Sequence, residues 1–308
     1  MTAAFARRSP AAVAVALATV YVVWGSTYLA IRITDRTMPP MLMSSVRFLV
    51  AGVALYAFAS RGRARPTLRE WRAAAIVGGA LLLIGNGGVA WAETRLDSGL
   101  AALIVAIIPL WVAVLDRAVF GRRLSLPAIV GLVVGFAGVA LLVRPGGGVD
   151  VVAALALVGT TGAWAAGSLY ARGAPLPQSP LLAASMQMLC ASVLLGVAGV
   201  VFGEPARVHA DAFSAKPVAA WLYLVLVGSL VAFSAYAWLL KNVKIGVVST
   251  YAFVNPVVAV GLGALFLGEQ ITASTLLAGA SIVVAVILIV TGREPKRRVV
   301  AAPARATA

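Results

Sequence analysis

Charge is scarce in this chain. Of its 308 residues only 11% are Asp, Glu, Lys or Arg, against about 25% in ordinary soluble domains, which leaves too little to coat a sizeable soluble domain. It has one cysteine, Cys190, which excludes an intramolecular disulfide framework and any multi-cysteine metal site. The single histidine, His209, excludes a paired-histidine zinc site and reads as a solvated loop residue. Each of the four lysines, Lys216, Lys241, Lys244 and Lys296, follows a residue other than glycine. A Walker A loop is therefore absent, and the chain does not consume ATP by itself. Apolar runs contain no pair of acids and no serine with a histidine partner. The expectation is a protein that is not an enzyme, with no catalytic residue, no cofactor and no bound metal.

What the chain has instead is apolar length, at 62% hydrophobic residues. A helix needs roughly 20 apolar residues to cross the hydrocarbon of a bilayer. Ten runs qualify as candidate helices, near residues 11–31, 41–59, 73–92, 98–116, 126–143, 151–171, 181–202, 218–240, 245–267 and 273–291. Strand-length alternation is lacking, which argues against a β-barrel. Arg7 and Arg8 precede an apolar stretch too long for the core of a signal peptide. The fold class expected is an all-α integral membrane protein with ten transmembrane helices.

The net charge of +15 does not mark a nucleic-acid partner, because the basic residues lie in short clusters between apolar runs and form no stripe. If ten helices alternate sides, eighteen of the 25 Lys and Arg fall on one side and six on the other, with Arg47 inside a span. Seven of the ten acids, Asp35, Glu93, Asp97, Asp150, Glu204, Asp211 and Glu269, join the poorer side. The positive-inside rule then sets both termini in the cytoplasm, in a multi-pass protein of the cytoplasmic (inner) membrane.

The chain also resembles itself. At an offset of 140, Trp24, Leu29, Arg32, Pro40, Ser45 and Leu49 meet Trp164, Leu169, Arg172, Pro180, Ser185 and Leu189. Later, at an offset of 147, Ala90, Trp91, Gly99, Pro109 and Gly121 meet Ala237, Trp238, Gly246, Pro256 and Gly268. Two repeats follow, 1–149 and 150–308, each with five helices. An odd number inverts the second copy relative to the first, the plan of many secondary transporters with a site near the bilayer midplane.

Trp24-Gly25-Ser26-Thr27-Tyr28, Arg47-Phe48, Pro109, Gly121-Arg122, Asn255-Pro256 and Gly268-Glu269 together resemble the EamA-type family of the drug/metabolite transporter superfamily, over about residues 13–291. The resemblance implies a basket-shaped ten-helix carrier, usually an exporter of metabolites, amino acids or xenobiotics. It also implies a central cavity walled mainly by the first, third, fourth, sixth, eighth and ninth helices. One departure stands out: Arg122 follows the shared glycine in the first repeat and Glu269 in the second, so the two positions are not expected to act alike.

Candidate substrate contacts are aromatic and small polar residues within the spans. Trp24 lies about 20 Å along its helix, with Ser26 beside it and Tyr28 one turn on. Trp164 and Ser168 repeat that spacing. Two aromatic planes facing one cavity would offer apolar area and cation–π contact to amphipathic solutes, and tight helix packing is the competing reading. Asn86 and Asn255 must face protein or water, as substrate contacts or as links between helices, and Asn255 shares a face with Tyr251. Trp91 and Trp238, matched near helix ends, read as interface anchors first and cavity residues second. Pro109 and Pro256 each free a carbonyl and favour a kink, static or gating. Gly131, Gly135 and Gly138 read as close helix packing. Arg47, about 10 Å deep, either clamps helix-end carbonyls, the preferred reading, or anchors a substrate carboxylate, with Glu93 within possible reach.

The function expected is secondary transport by alternating access, with a small organic solute as substrate, the proton as candidate coupling ion and the lipid bilayer as surroundings. An importer or exchanger of sugar-linked or phosphorylated solutes would need several deep basic residues, and only Arg47 qualifies. A non-transporting scaffold would need larger loops. Topology is directly testable: reporters fused after residue 300 and in the loop near residue 210 should report cytoplasm and exterior respectively. Both on one side would break the ten-span count.

Overall fold

The computed structural model describes residues 9–121, 125–142, 149–209 and 213–291. Helices fill most of them, and no strand occurs among them, as expected where hydrocarbon cannot satisfy peptide groups. In chain order they are α1 (Pro10–Asp35), α2 (Pro40–Ala59), α3 (Leu68–Glu93), α4 (Ser98–Val105 and Ile108–Phe120), α5 (Leu126–Leu142), α6 (Val151–Ala171), α7 (Pro180–Val201), α8 (Ala215–Asn242), α9 (Ile245–Val248 and Tyr251–Leu267) and α10 (Ala273–Thr291). Seven, α1 to α4 and α6 to α8, are long and apolar enough to cross a membrane, while α5, α9 and α10 hold shorter apolar stretches. Val22, Val133, Val201 and Leu265 stand exposed on outward faces, a surface suited to lipid and costly in water.

Some helix starts are capped locally. Thr67 and Glu70 form a reciprocal capping box on α3, and Asp150 accepts from the Ala153 amide at 2.9 Å on α6. Ser179 caps α7 ahead of Pro180. The corresponding start of α2 is Pro39-Pro40, and proline has no side-chain acceptor to offer. Its free amides are taken by a carboxylate from beyond α7: Glu204 accepts from Met41 at 3.1 Å and Leu42 at 2.8 Å. The N-cap residue of α4, Asp97, makes no cap bond. Glu269, beyond α9, accepts from the Ser98 and Gly99 amides at 2.9 and 3.0 Å and from the Ser98 hydroxyl at 2.8 Å. The unequal residue after the shared glycine thus acquires a role on the Glu269 side, while Arg122 lies outside the described residues.

These contacts define two ends of the bundle. The carboxylate end gathers Asp35, Glu93, Asp97, Asp150, Glu204 and Glu269 with the starts of α2, α4 and α6. The arginine end gathers the ends of α6 and α8, where Arg172 donates to the carbonyls of Leu240 at 3.0 Å and Val243 at 2.9 Å. Between the ends, α2 lies along α7, α5 along α10, α1 against α8 and α9, and α6 against α3 and α4.

Four helices depart from regular α geometry. Gly79–Gly87 in α3 and Leu224–Phe233 in α8 are π-helical, wound wider so that one more residue fits per turn. α4 breaks at Ala106 and Ile107, and α9 breaks at Ser249 and Thr250. The two prolines differ in place. Pro109 occupies the first turn of the second α4 piece, just after the break, where a missing N–H costs nothing. Pro256 is interior to its helix. The kink expected at mid-helix in α4 is therefore a break ahead of the proline.

The glycine stripe of α5 packs as its spacing implied. A Cβ at Gly131 would stand 2.6 Å from the Ala285 carbonyl oxygen on α10, and one at Gly138 would meet Ser281. Gly131→Ala should therefore cost about 1–3 kcal/mol through overpacking. Gly159→Ala, with nothing within 4 Å of its added methyl, should be neutral or gain up to about 1 kcal/mol in helix propensity. Thermal melts of the purified protein should move apart accordingly, and equal shifts would contradict the close α5–α10 approach.

Candidate functional site

A central cavity with an empty volume of about 660 Å³ is walled by α1, α2, α3, α4, α6, α8 and α9. Six of these match the walls implied by the family resemblance, and α2 joins them through Arg47 and Phe48.

Four aromatic rings, one from each of α1, α6, α8 and α9, stack at the cavity's arginine-end side. The Trp24 centroid lies 5.4 Å from Trp164, 4.7 Å from Tyr236 and 5.3 Å from Tyr251, with the first and third contacts edge-on. Edge-on contact sets the positive rim of one ring against the negative face of another, worth about 0.5–1.5 kcal/mol per pair beyond burial. The Tyr236 hydroxyl accepts from Trp164 Nε1 at 3.0 Å and shares a hydrogen bond with Ser168 at 2.8 Å. Towards the arginine end the Tyr21 hydroxyl bonds Thr250 at the α9 break. Rings and hydroxyls together link α1, α6, α8 and α9 there.

Arg47 is 3% exposed. Its Nε donates to Ser229 Oγ at 2.8 Å, and Nη1 lies 3.5 Å from Asn86 Oδ1, at the limit of a hydrogen bond. The guanidinium carbon sits 4.8 Å from the Phe48 ring centroid. Ser229 and Asn86 belong to the two π-helical segments, so the arginine is seated between them. Gly228 supplies the room: a Cβ there would come within 3.1 Å of Arg47 Nη2. The contact with Glu93 that the sequence left open is not made. Among the described residues no carboxylate forms an ion pair with Arg47, and neither carboxylate oxygen of Glu93 has a hydrogen-bond partner. Among the described residues the hydrogen bonds of Arg47 go to these side chains and not to helix-end carbonyls.

Of the residues singled out by sequence, Trp24, Tyr28, Arg47, Asn86, Trp164, Tyr251 and Asn255 meet on this one cavity. Four substrate-contact candidates do not line it. Ser26 bonds the Tyr223 hydroxyl at 2.6 Å, facing α8. Ser168 is buried behind Tyr236. Trp91 lines a separate vestibule and stacks under Arg95. Trp238, itself half-buried, packs against the buried apolar core. A 3.6-residue period fixes which residues share a face, and the neighbouring helix decides what that face meets. With its amide turned so that nitrogen faces these carbonyls, Asn255 donates to the Tyr251 carbonyl at 3.2 Å and the Tyr21 carbonyl at 3.0 Å, an assignment that satisfies both and ties α9 to α1 from the cavity wall. Sequence reading missed Thr160 and Thr161, which line the cavity; a threonine pair one turn before Trp164 was the available signal. It also missed Tyr236 and Ser229, for which periodicity gave none.

At the carboxylate end a wider vestibule, about 1600 Å³ of empty volume, is lined by Asp35, Trp91, Arg95 and Glu204 among others. Thr160 lines both spaces, so the vestibule and the cavity are neighbours across α6. In the loop beside it, burial and then Glu269 raise the Asp97 carboxyl above its usual range, with Arg32 and Arg36 opposing.

The EamA-like transporter family model matches residues 11–144 and 151–291. The chain is 39% identical over 292 residues to the uncharacterized inner membrane transporter YedA of Escherichia coli (strain K12), covering 93% of this chain and 94% of that protein. It is 27% identical over 298 residues to a probable terminal-alkyne amino-acid exporter of Streptantibioticus cattleyicolor, covering 94% and 97%. Over 279 residues it is 24% identical to a probable amino-acid metabolite efflux pump of Salmonella typhimurium, covering 86% and 90%. A solved crystal structure at 20% identity aligns with a TM-score of 0.65 over 91% of this chain and 96% of its own, a likeness of fold.

The aromatic cluster generates a test. Tyr236→Phe leaves Trp164 Nε1 without its acceptor, and Ser168→Ala removes the other hydroxyl. Each should cost about 1 kcal/mol, and the double variant should cost less than the sum, because the three groups form one network. Thermal melts of the four proteins measure the coupling, and additive losses would dissolve the network.

Proposed function

The chain belongs to the EamA-like transporter family, and from that premise we propose that it is a secondary exporter of small organic metabolites bearing a carboxylate, amino acids foremost. The observation that carries this reading is Arg47: a buried, permanently charged guanidinium on the wall of a central cavity, held by neutral partners and with no carboxylate paired to it. Burying a cation costs several kcal/mol unless a counter-charge arrives. A substrate carboxylate would supply it, while the aromatic rings opposite would take an organic body or an ammonium group. Relatives named as amino-acid exporters support both the substrate class and the direction. The importer reading for phosphorylated solutes finds little support, since Arg47 is the only base on the cavity wall.

Alternating access would run through two inverted five-helix repeats, 1–149 and 150–308, in ten spans with both termini cytoplasmic. Matched details support the repeat. Glycines with positive φ stand at Gly62 and Gly203 after α2 and α7, and at Gly121 and Gly268 after α4 and α9. Arg32 donates to the Glu93 carbonyl as Arg172 does to that of Leu240, 140 and 147 residues apart as in the sequence repeat. The π-helical segments occupy the third helix of each half. At about 1.5 Å per residue, the 17 residues of α5 reach only about 25 Å, a shortfall that local bilayer thinning absorbs. Closure of the arginine end by the four rings, beside a vestibule at the carboxylate end, fits one of the two access states.

Purified protein in liposomes loaded with an amino-acid mixture should release specific members of it. Arg47→Gln, the residue found at the matching position 187, should fold and melt like the wild type yet lose efflux of the amino acids by at least tenfold, sparing added solutes that lack a carboxylate, such as amino-acid amides. A variant that melts early but transports every member normally would make Arg47 a structural clamp.

A further inference from the structure

Glu93, the last residue of α3, is fully buried, and neither oxygen of its carboxylate has a hydrogen-bond partner. Around it are other groups in the same condition. Arg32 donates Nη1 to the Glu93 main-chain carbonyl, and its Nη2 stands 3.8 Å from Asp97, yet its Nε–H is buried without a partner. Asp35, three residues further along α1, likewise has both oxygens buried and unpartnered. A donor and two acids that could satisfy one another are thus held together unpaired.

A structural clamp does not need the acids, and the second half of the chain makes the comparison. Arg172 holds the carbonyls of Leu240 and Val243 in the same manner. Where the first repeat has Glu93 and Asp35, the matching positions are Leu240 and Pro175. Leu240 is buried as Glu93 is and packs without any polar group to desolvate. Retaining an ionised carboxylate there, with no donor, would cost several kcal/mol. Binding a proton removes most of that cost.

The charged and titratable groups facing Glu93 are few. α1 brings Tyr28, Arg32 and Asp35, and Glu269 acts on Glu93 from beyond α9. The α4 start brings Asp97, itself turned to Arg32. From α2, Arg47 acts on Asp35, as does Glu204 from beyond α7. The oxygens of Glu269 and Glu204 are committed to helix amides. On α6, Asp150 pairs with Arg95, and the helix carries no acid or base from Val151 to Leu169. Among the described residues, Arg32 is therefore the cation beside Glu93 that has a buried, unused donor. Asp35 borders the vestibule at the carboxylate end, so movement of α1 there would bring the cluster into contact with water.

We propose that Glu93, with Asp35 beside it and Arg32 as standby counter-charge, is the proton-binding site that couples this carrier to a proton gradient, a reading that rests on its being a transporter. In the arrangement described, the Glu93 carboxyl holds its proton. Water in the vestibule, on the outer side, supplies that proton. When the α1–α3 contact loosens and the other side opens, the O–H bond breaks, the proton passes to water on that side, and the carboxylate, keeping the electron pair, turns to the free Nε–H of Arg32. Rebinding a proton from the vestibule returns the carboxyl to its dry seat, so that one proton enters as solute leaves. One proton is exchanged per cycle, and no other bond is made or broken.

The test uses the full chain in liposomes. Infrared difference spectra between acid and alkaline pH should contain the carbonyl stretch of a neutral, buried carboxylic acid that persists at pH 7 and is absent from both Glu93→Leu and Glu93→Gln. Glu93→Leu reproduces the second half's own solution, and Glu93→Gln keeps the shape should the first fold poorly. In vesicles carrying the amino-acid mixture and a pH-sensitive dye, efflux by the wild type should acidify the lumen, and Glu93→Leu should reduce that acidification to the level of protein-free vesicles. A spectrum unchanged by both substitutions overturns the proposal, as does wild-type efflux with no proton movement. If the wild type moves no amino acid at all, the substrate reading fails first, while the infrared band still decides whether Glu93 holds a proton.

Discussion

Helix ends in a hydrocarbon solvent must find hydrogen-bond partners within the protein, and this bundle depends on how four charged side chains meet that demand. Glu204 and Glu269 accept from the exposed amides at the starts of α2 and α4. Arg32 and Arg172 donate to carbonyls at the ends of α3 and α8. A carboxylate at a helix start and a guanidinium at a helix end each also complement the helix dipole. Both glutamates come from the second half and serve the first, so the two halves are joined by ionic caps as well as by apolar packing. Pro39 explains one of these long reaches, because it stands where Ser179 caps the equivalent helix.

Irregular backbone is concentrated where the cavity lies. The π-helical segments of α3 and α8 and the break of α4 border it, and the break of α9 lies beside the ring cluster. Non-helical or widened turns are tolerated at membrane depth only when enclosed by protein or bordering a wet cavity. Here they offset the seating of Arg47, whose neighbours Ser229 and Asn86 are presented by the two widened segments. Gly228 contributes by having no side chain, leaving the space that the guanidinium fills.

Opposite kinds of charge occupy opposite parts of the molecule. Arg47 sits at the cavity with polar but uncharged partners, whereas Glu93 and Asp35 sit unpaired at the carboxylate end beside Arg32, whose Nε–H is also without a partner. A permanently charged guanidinium keeps its demand for a partner at any physiological pH, so it suits an anionic ligand. A carboxyl can shed its charge by taking a proton, so it suits an ion that comes and goes. The same desolvation cost therefore points to different ligands at the two sites.

The amino-acid sequence by itself determined the helical membrane class, the places of the apolar helices and the lone basic residue within a span, Arg47, because apolar length, charge and periodicity are properties of single segments. It also marked Trp24 and Trp164 as a matched pair, which the fold sets edge to face. Only the tertiary structure decided which neighbour each polar face would meet. Ser26 and Ser168 have the spacing of cavity residues and turn instead to Tyr223 and Tyr236. Glu93 reads as a loop acid and is fully buried, and Glu269 reads as a broken symmetry and caps α4. Periodicity within a helix fixes angles about its own axis. The crossing of one helix by another, set by glycines and side-chain volumes on both, fixes what lies at those angles.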